Sequence, residues 1–328
     1  MNYSEICLVT GAGGFIGSHL VETLAARGYR VRAFVRYNGR GDPGLLRDLP
    51  RDLRAQVEIV FGDLRDSHAV REAARGVDTI FHLGALIAIP YSYIHPRETV
   101  ETNVLGTLNV LEAARVHSVR RLVHTSTSEV YGTARAVPIG EDHPLQGQSP
   151  YSASKIGADK LVESFHLSFG IPAVTVRPFN TYGPRQSARA VIPTIIVQAL
   201  TCSVVRLGDL RPTRDLNYVS DTVAGFLAAA DRDEAIGRTI NLANNDEISV
   251  GELAEKIIAL VGRDVRIETD EARLRPATSE VFRLHGDNRL ARELLGWQPL
   301  VSLEEGLRRT IDWIAQHIDR YDPLRYQV

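Results

Sequence analysis

Tyr151 and Lys155 have the types and the spacing of an acid-base pair. They lie four residues apart in the stretch SPYSASK, and residues four apart face the same side of a helix. A tyrosine has a reference pKa near ~10, and a neighbouring ammonium group lowers it. The pair predicts a phenolate that can remove the proton of a hydroxyl group.

A second polar stretch, TSTSEVYG, follows the apolar run from Arg121 to Thr125. It brings hydroxyl groups and a carboxylate to the end of a predicted strand. Ligands of open α/β proteins bind at the carboxyl ends of such strands. We expect these side chains to lie beside the pair described above: Ser126, Thr127, Ser128 and Glu129.

The N-terminal part of the chain predicts a nucleotide cofactor. A short apolar run (Ile6 to Val9) leads into TGAGGFIG and then into a helical pattern from His19 to Arg27. A glycine turn between strand and helix lets backbone approach a pyrophosphate, and the helix offers its free N-H groups. The spacing is G-x-x-G-x-x-G, and the predicted cofactor contacts are Gly11, Gly14, Phe15, Ile16 and Gly17.

The predicted second strand, Tyr29 to Val35, ends without the acidic residue that would bind the adenosine ribose of NAD. Arg36 stands there instead. An arginine can pair with a 2'-phosphate, which favours NADP, while a solvated surface arginine is the alternative and leaves NAD open. We expect further cofactor contacts near the ends of the third and fourth strands and at the start of the next long helix: Asp63, Leu64, Leu83, Ala85 and Asn103.

Predicted strands and helices alternate along the first half of the chain, which requires a parallel sheet covered on both faces. We expect a doubly wound α/β (Rossmann) domain over residues 1–178, to which segments near 215–245 return. Residues 179–328, where the alternation weakens, are expected to form a smaller, interleaved α/β lobe that holds the substrate.

Composition excludes several classes of function. The chain has 328 residues and a formal net charge of -2, with 38 basic and 40 acidic residues mixed along it, so no charge field favours nucleic acid or a membrane surface. No apolar run is long enough for a membrane span. Ten histidines show no metal-ligand spacing, and two cysteines, Cys7 and Cys202, suit a reducing, cytoplasmic setting.

Five motifs together resemble the extended short-chain dehydrogenase/reductase family of nucleotide-sugar enzymes: TGAGGFIG, TSTSEVYG, YSASK, RPFNTYGPR and RDLNYVSD. Within that family the chain is most similar to UDP-GlcNAc 4,6-dehydratases that retain configuration. The resemblance implies a tightly bound, recycled NAD or NADP and a nucleotide-sugar substrate. It also implies a homodimer whose four-helix bundle uses the helices that begin near Glu98 and near Ser149.

The resemblance also assigns roles at the centre. Thr127, or Ser126, would bind the sugar 4-oxygen, and Glu129 would remove the C5 proton so that the C6 hydroxyl leaves as water. Ser128 stands where the dTDP-glucose branch of the family has an acidic aspartate. A serine hydroxyl is a weaker acid, so either Glu129 shuttles the proton or Ser128 orders a water molecule.

The residues expected to hold the sugar nucleotide are Ser126, Asn180, Arg185, Arg214 and Arg275. Two other enzymatic readings stay open, because UDP-glucuronate decarboxylases share TSEVYG and C4-epimerases need only the oxidation step. A cofactor-binding protein without catalysis is a third and more distant alternative, which the intact Tyr151, Lys155, Thr127 and Glu129 disfavour.

Overall fold

A computed structural model of the protein describes residues 5–274, 276 and 278–322. Its centre is a seven-stranded parallel sheet with the order β11-β6-β5-β4-β1-β2-β3. The predicted doubly wound Rossmann-like fold is therefore confirmed. The strands of the described chain are β1 (Ile6–Thr10), β2 (Arg30–Arg36), β3 (Val57–Gly62), β4 (Thr79–His82), β5 (Arg121–Thr125), β6 (Ala173–Pro178), β7 (Asn180–Tyr182), β8 (Val204–Leu207), β9 (Thr213–Arg214), β10 (Leu216–Tyr218), β11 (Thr239–Leu242), β12 (Ile248–Ser249), β13 (Arg266–Thr269) and β14 (Arg283–Leu284).

Helices cover both faces of this sheet. They are α1 (Phe15–Ala26), α2 (Arg51–Arg54), α3 (Ser67–Ala73), α4 (Ile89–Ile94), α5 (Pro96–Val100), α6 (Gly106–Val116), α7 (Pro150–Phe169), α8 (Val191–Thr201), α9 (Val219–Asp231), α10 (Val250–Val261) and α11 (Leu303–Gln316). None of these described helices has the length and apolar composition needed to cross a membrane.

The side chains of β1 explain why helices pack on both faces of the sheet. Cys7 and Val9 belong to a core with Leu20 of α1, whereas Leu8 belongs to a second core with Leu111 of α6. Successive strand residues point to opposite faces, and both faces of β1 are apolar. The strand is therefore buried on both sides, as parallel strands usually are.

Two helices differ from the pattern predicted by the sequence. Helix α1 begins at Phe15, directly after Gly14, whereas the spacing predicted His19. The long helix predicted from Glu98 to His117 is divided into α5 and α6 by a π-helical turn at Glu101–Leu105. π-Turns inside helices are frequent at functional sites, and Asn103 lies in this one.

The later part of the chain adds small sheets beside the main one. Strand β10 pairs with β7, β13 pairs with β8, and β9 lies between β12 and β14. Strand β11 returns to the main sheet and pairs with β6. A single residue separates β7 from the carboxyl end of β6, so the small sheet of β7 starts at the edge of the main sheet where ligands of open α/β proteins bind.

Candidate active site

A short turn presents the polar residues that follow β5. Thr127 has extended backbone (φ -161°), and its side-chain oxygen accepts a 3.2 Å hydrogen bond from the backbone N-H of Glu129. This caps the 3₁₀ turn Ser128–Tyr131. Thr127 and Ser128 are buried, while the Glu129 side chain is half-buried. The turn thus leaves Glu129 partly exposed just beyond the carboxyl end of β5.

Helix α7 positions Tyr151 and Lys155. Ser149 caps the helix through a capping box with Ser152, and Pro150 occupies its first turn, so the helix start is well defined. Tyr151 is 7% exposed and Lys155 3%. The Lys155 Nζ donates a 2.6 Å hydrogen bond to the backbone carbonyl oxygen of Thr125, which joins the helix to the end of β5.

The electrostatics of this pair differ from the sequence-based expectation. Burial raises the pKa of Tyr151 above its ordinary value, and a hydrogen bond with Thr127 partly opposes that rise. Burial also lowers the pKa of Lys155 to about 8. The ammonium of Lys155 is directed at the Thr125 carbonyl, and desolvation of the phenolate sets the direction of the shift, so the predicted net lowering of the tyrosine pKa is wrong. The hydrogen bond from Thr127 is the contact that favours the ionised tyrosine here.

The glycine turn fits a dinucleotide cofactor. Gly11 has φ +69°, and a Cβ there would lie 2.7 Å from the backbone nitrogen of Gly84. A Cβ at Gly17 would collide with the carbonyl oxygen of Gly11. Gly14 is exposed, and it precedes α1 without a side-chain cap or an acidic residue in the first turn. The helix N-terminus therefore keeps its N-H groups for an anion, with Phe15 and Ile16 half-buried beside it.

Arg36 lies at the end of β2, as predicted, but it has an acidic partner. Its guanidinium is 3.2 Å from Glu98, and its side chain is 64% exposed. The other oxygen of Glu98 accepts a 2.6 Å hydrogen bond from Tyr91. Asp63, at the end of β3, binds Arg65 at 2.7 Å. Acidic and basic groups are thus paired where the adenosine end of a cofactor would lie.

The side chain of Asn103 holds the loop after β4 through hydrogen bonds to the backbone of Leu86. Its amide binds both the backbone N-H (2.8 Å) and the carbonyl (2.9 Å) of Leu86, and it also donates to Ser154 at 2.9 Å. The side chain is buried, so these bonds occupy it. Of the neighbouring predicted residues, Leu64 is buried, and Leu83 and Ala85 are half-buried.

The arginines predicted to bind substrate have local partners. Arg185 lies against α1, where it contacts Glu22 at 2.5 Å and its side chain is 9% exposed. Arg214 lies 3.2 Å from Glu280. Asn180 donates a 3.4 Å hydrogen bond to the backbone of Asp215. Arg275 lies outside the described residues.

Sequence reasoning missed a buried charged group behind the site. Asp159 accepts hydrogen bonds from Ser126 (2.7 Å) and from Arg177 (3.0 Å), so the proton of the Ser126 hydroxyl is committed to Asp159. Asp159 follows Lys155 by four residues, and that spacing was the available signal. Within the described residues, no cluster of acidic, histidine or cysteine side chains could hold a metal ion.

Comparison with known proteins places these features in a family. The family model described as GDP-mannose 4,6 dehydratase matches residues 8–310 of the chain. The protein belongs to this family.

Relatives in this wider group of nucleotide-sugar enzymes differ in their reactions. The chain is 35% identical over 312 residues to a UDP-glucose 4-epimerase of Mycolicibacterium smegmatis, covering 93% of this chain and 97% of the relative. It is 32% identical over 322 residues to a UDP-N-acetyl-alpha-D-glucosaminuronate decarboxylase of Bacillus cytotoxicus, covering 94% and 98%. A solved dTDP-glucose 4,6-dehydratase of Streptomyces venezuelae, with NAD bound, matches with a TM-score of 0.88 and 30% identity, covering 98% of this chain and all of that chain (100%). Family membership therefore supports an enzyme that acts on nucleotide sugars. It does not distinguish dehydration, decarboxylation and epimerisation, because relatives of each kind match the chain.

Proposed function

We propose that this protein is a nucleotide-sugar 4,6-dehydratase that converts an NDP-hexosamine, and in the first instance UDP-GlcNAc, to its 4-keto-6-deoxy product. The observation that carries the proposal is a carboxylate beside the oxidising pair. Thr127, which hydrogen-bonds Tyr151, accepts a 3.2 Å hydrogen bond from the backbone N-H of Glu129, so the turn that carries Glu129 adjoins Tyr151. Oxidation at C4 needs Tyr151 and Lys155, whereas Glu129 adds the base that elimination requires.

The chain's own groups then divide the proton transfers. Thr127 donates to the 4-oxygen, and Tyr151 in its ionised form accepts the proton of the 4-hydroxyl. The glycine turn of Gly11, Gly14 and Gly17 would hold a nicotinamide dinucleotide, whose chemistry would be to take hydride from C4 and supply it to C6. With C4 as a ketone the C5 proton is acidic, and Glu129 takes it as the C6 hydroxyl departs with a proton as water. As hydride returns to C6, C5 takes up a proton from solvent, so the product has lost one water and has undergone no net oxidation.

The proton that accompanies the C6 hydroxyl has two sources in this site. Glu129 can pass on the proton that it has just received from C5, or Ser128 can hold a water molecule that delivers it. Ser128 is 2% exposed and adjoins Glu129 in the same turn. We favour Glu129, because a carboxylic acid is a far stronger proton donor than a serine hydroxyl.

We propose NAD as the cofactor. The sequence position of Arg36 favoured NADP, but in the structure its guanidinium pairs with the Glu98 carboxylate at 3.2 Å. A carboxylate at that position would repel a 2'-phosphate and tolerate a ribose hydroxyl. The solved relative that binds NAD supports the same choice.

The nucleotide sugar is expected in the cleft between residues 1–178 and the smaller lobe of residues 179–328. Arg214 and Asn180 lie at strands β9 and β7 of that lobe, and Arg275 remains a candidate from the sequence. Binding the diphosphate through Arg214 would require the guanidinium to exchange its contact with Glu280 for the ligand. Arg185 is the weakest candidate, because its contact with Glu22 lies on α1.

We also propose a cytoplasmic homodimer formed through the helices around α5, α6 and α7. Large apolar side chains in these helices are exposed in the single chain: Val100, Leu105, Val116, Leu167 and Phe169. A four-helix bundle would cover such a surface. Light scattering of the purified protein tests this, and L167E is expected to weaken the dimer.

Mass spectrometry of a substrate panel tests the proposed reaction. The purified protein, supplied with NAD, is incubated with UDP-, GDP- and dTDP-sugars. A product lighter by one water supports the dehydratase, and its absence from every incubation contradicts it. Tyr151→Phe should retain cofactor binding and lose turnover by about 10²- to 10⁴-fold. Tyr182 is the control, because its hydroxyl donates to the Leu303 carbonyl, and Tyr182→Phe should retain turnover.

Decarboxylation of a UDP-uronate is the second candidate, and Ser128 is the observation that favours it. A 4-keto intermediate with a C5 carboxylate loses carbon dioxide without an acid at the position of Ser128. The decarboxylase relative of Bacillus cytotoxicus is consistent with this reading. Loss of carbon dioxide from a UDP-uronate, with no loss of water from any hexosamine, would select it. An isobaric product would instead indicate C4 epimerisation.

A further inference from the structure

A buried ion pair lies directly behind the proposed catalytic residues. The carboxylate of Asp159 accepts hydrogen bonds from Arg177 Nη2 (3.0 Å), from Arg177 Nε (3.3 Å) and from the Ser126 hydroxyl (2.7 Å). Its other oxygen lies 3.2 Å from Nε2 of His124. The Asp159 and Arg177 side chains are 5% and 6% exposed. A charged pair in such a place is costly to bury, and the additional hydrogen bonds to both side chains offset that cost.

Helix geometry connects this pair to Lys155. Tyr151, Lys155 and Asp159 follow one another at four-residue intervals on α7, so they line one face of the helix. Lys155 donates to the Thr125 carbonyl, and Ser126, the next residue, donates to Asp159. The end of β5 is therefore held at successive residues by this face of α7.

Arg177 connects the pair to the turn that carries Glu129. Its Nη1 donates a 2.9 Å hydrogen bond to the Tyr131 hydroxyl, and its guanidinium lies 4.9 Å from the centre of the Tyr131 ring. The Tyr131 hydroxyl donates in turn to Asn241 at 2.7 Å. Tyr131 is the last residue of the turn Ser128–Tyr131, so the hydrogen bond from Arg177 stabilises that turn.

Several elements contribute ionisable groups around Tyr151 and Lys155. These groups are His82 of β4, His124 of β5, Glu129 and Tyr131 of the 128–131 turn, Asp159 of α7 and Arg177 of β6. Burial lowers the pKa of both histidines, that of His124 to about 4, so they are neutral near pH 7. Of the charged groups, Asp159 acts on Lys155 and Glu129 acts on Tyr151, while Arg177 pairs with Asp159.

We propose that Asp159 and Arg177 act together as positioning residues, in which Asp159 keeps Lys155 protonated beside Tyr151 and Arg177 fixes both Asp159 and the turn that carries Glu129. The importance of a charged Lys155 rests on the proposed oxidation at C4. The electrostatic effect on Lys155 does not depend on that reaction. In support, the charge of Asp159 raises the pKa of Lys155 against the lowering caused by burial.

The composition of the chain offers a direct test. It contains three lysines, Lys155, Lys160 and Lys256, so protein labelled with ¹³C and ¹⁵N in lysine gives three side-chain signals to titrate by NMR. K160R and K256R assign two of them. We expect the Lys155 signal to titrate near pH 8, well below the other two.

Removing each charge of the ion pair should move this titration in opposite directions. D159N removes an anion and should lower the pKa of Lys155 by about 1 unit, and R177M removes a cation and should raise it. In the double variant D159N/R177M the pKa of Lys155 should return towards the wild-type value. The variants D159E and R177K retain the charges and should leave this pKa nearly unchanged. A structural role alone predicts no such ordered pattern.

Asp221 supplies a matched control for D159N. It is also a buried carboxylate, but it accepts hydrogen bonds from the backbone of Leu300 and Val301. D221N should leave the Lys155 titration in place. An equal shift in D159N and D221N, or none in D159N, would overturn the proposal. Should D159N fail to fold, R177M alone decides, because an unchanged Lys155 pKa in that variant also overturns it.

The same variants report on the reaction. If Lys155 must be protonated, the pH at which turnover falls on the alkaline side should move down in D159N and up in R177M, together with the NMR values. NMR shifts without a turnover shift would keep the electrostatic proposal and reject the proposed role of Lys155. A protein that turns over no nucleotide sugar would reject the proposed function, while the NMR titration still decides this proposal.

Discussion

Lys155 donates a 2.6 Å hydrogen bond to the carbonyl oxygen of Thr125 and so joins the helix that carries Tyr151 to the strand that leads to Thr127. The bond is buried from solvent, since Lys155 is 3% exposed. One side chain thereby sets the spacing between the proposed base and the residues that would bind the sugar. The charge state of this lysine follows from the same burial.

Turnover should decrease above about pH 8. Burial lowers the pKa of Lys155 to about 8, so the ammonium is present below that pH and is lost as the pH rises through it. A pH profile of kcat measures the effect. K160M is the control, because Lys160 is exposed and pairs with Glu163. A profile that stays flat to pH 10 would show that the lysine charge is not needed.

Glu98→Gln should increase the affinity for NADP. The amide keeps the contact with Tyr91 and releases Arg36 from a charged partner. Exposed ion pairs contribute up to about 1 kcal/mol, which corresponds to about fivefold in a dissociation constant. We therefore expect the affinity for NADP to increase about two- to fivefold. Fluorescence titration with NADP and NAD measures it.

Glu101→Gln is the matched control for this cofactor experiment. Glu101 pairs with Arg97 at 3.3 Å and lies 4.0 Å from Arg65, so its replacement should not release Arg36. An NADP affinity that is the same in E98Q, E101Q and the wild type would refute a selective role of Glu98.

Asn103→Ala should lower both stability and cofactor affinity. The substitution leaves the backbone N-H and carbonyl of Leu86 without their buried partner, which costs about 2 kcal/mol. Denaturant unfolding and cofactor titration measure the two effects. Asn109→Ala, which removes a single bond to Leu64, is the comparison. Weaker cofactor binding at unchanged stability would mean that Asn103 contacts the cofactor itself.

Local patterns in the sequence predicted the elements of the fold and the central residues. The glycine turn, the alternation of strand and helix and the four-residue spacing of Tyr151 and Lys155 each depend on neighbours in sequence. Local chemistry also placed Arg36 at a strand end. These features required no knowledge of distant contacts.

The partners of charged residues could not be predicted in the same way. Arg36 meets Glu98 and Arg185 meets Glu22 across elements that are far apart in sequence. Arg177 meets Asp159 across the adjoining elements β6 and α7, whose packing the sequence does not give. The pKa of Tyr151 was misjudged for a related reason, because spacing gives proximity to Lys155 but does not reveal how completely the phenol is buried. Pairing and desolvation belong to the assembled fold.

The central claim is that Glu129 turns oxidation at C4 into elimination, and the product formed from UDP-GlcNAc in deuterated water tests it most directly. Mass spectrometry should show a 4-keto-6-deoxy sugar that has lost one water and carries solvent deuterium at C5 in the wild type. Glu129→Gln should lower its formation by about 10²-fold or more while the protein still binds cofactor. A Glu129→Gln variant that forms the same product at the wild-type rate would contradict the account.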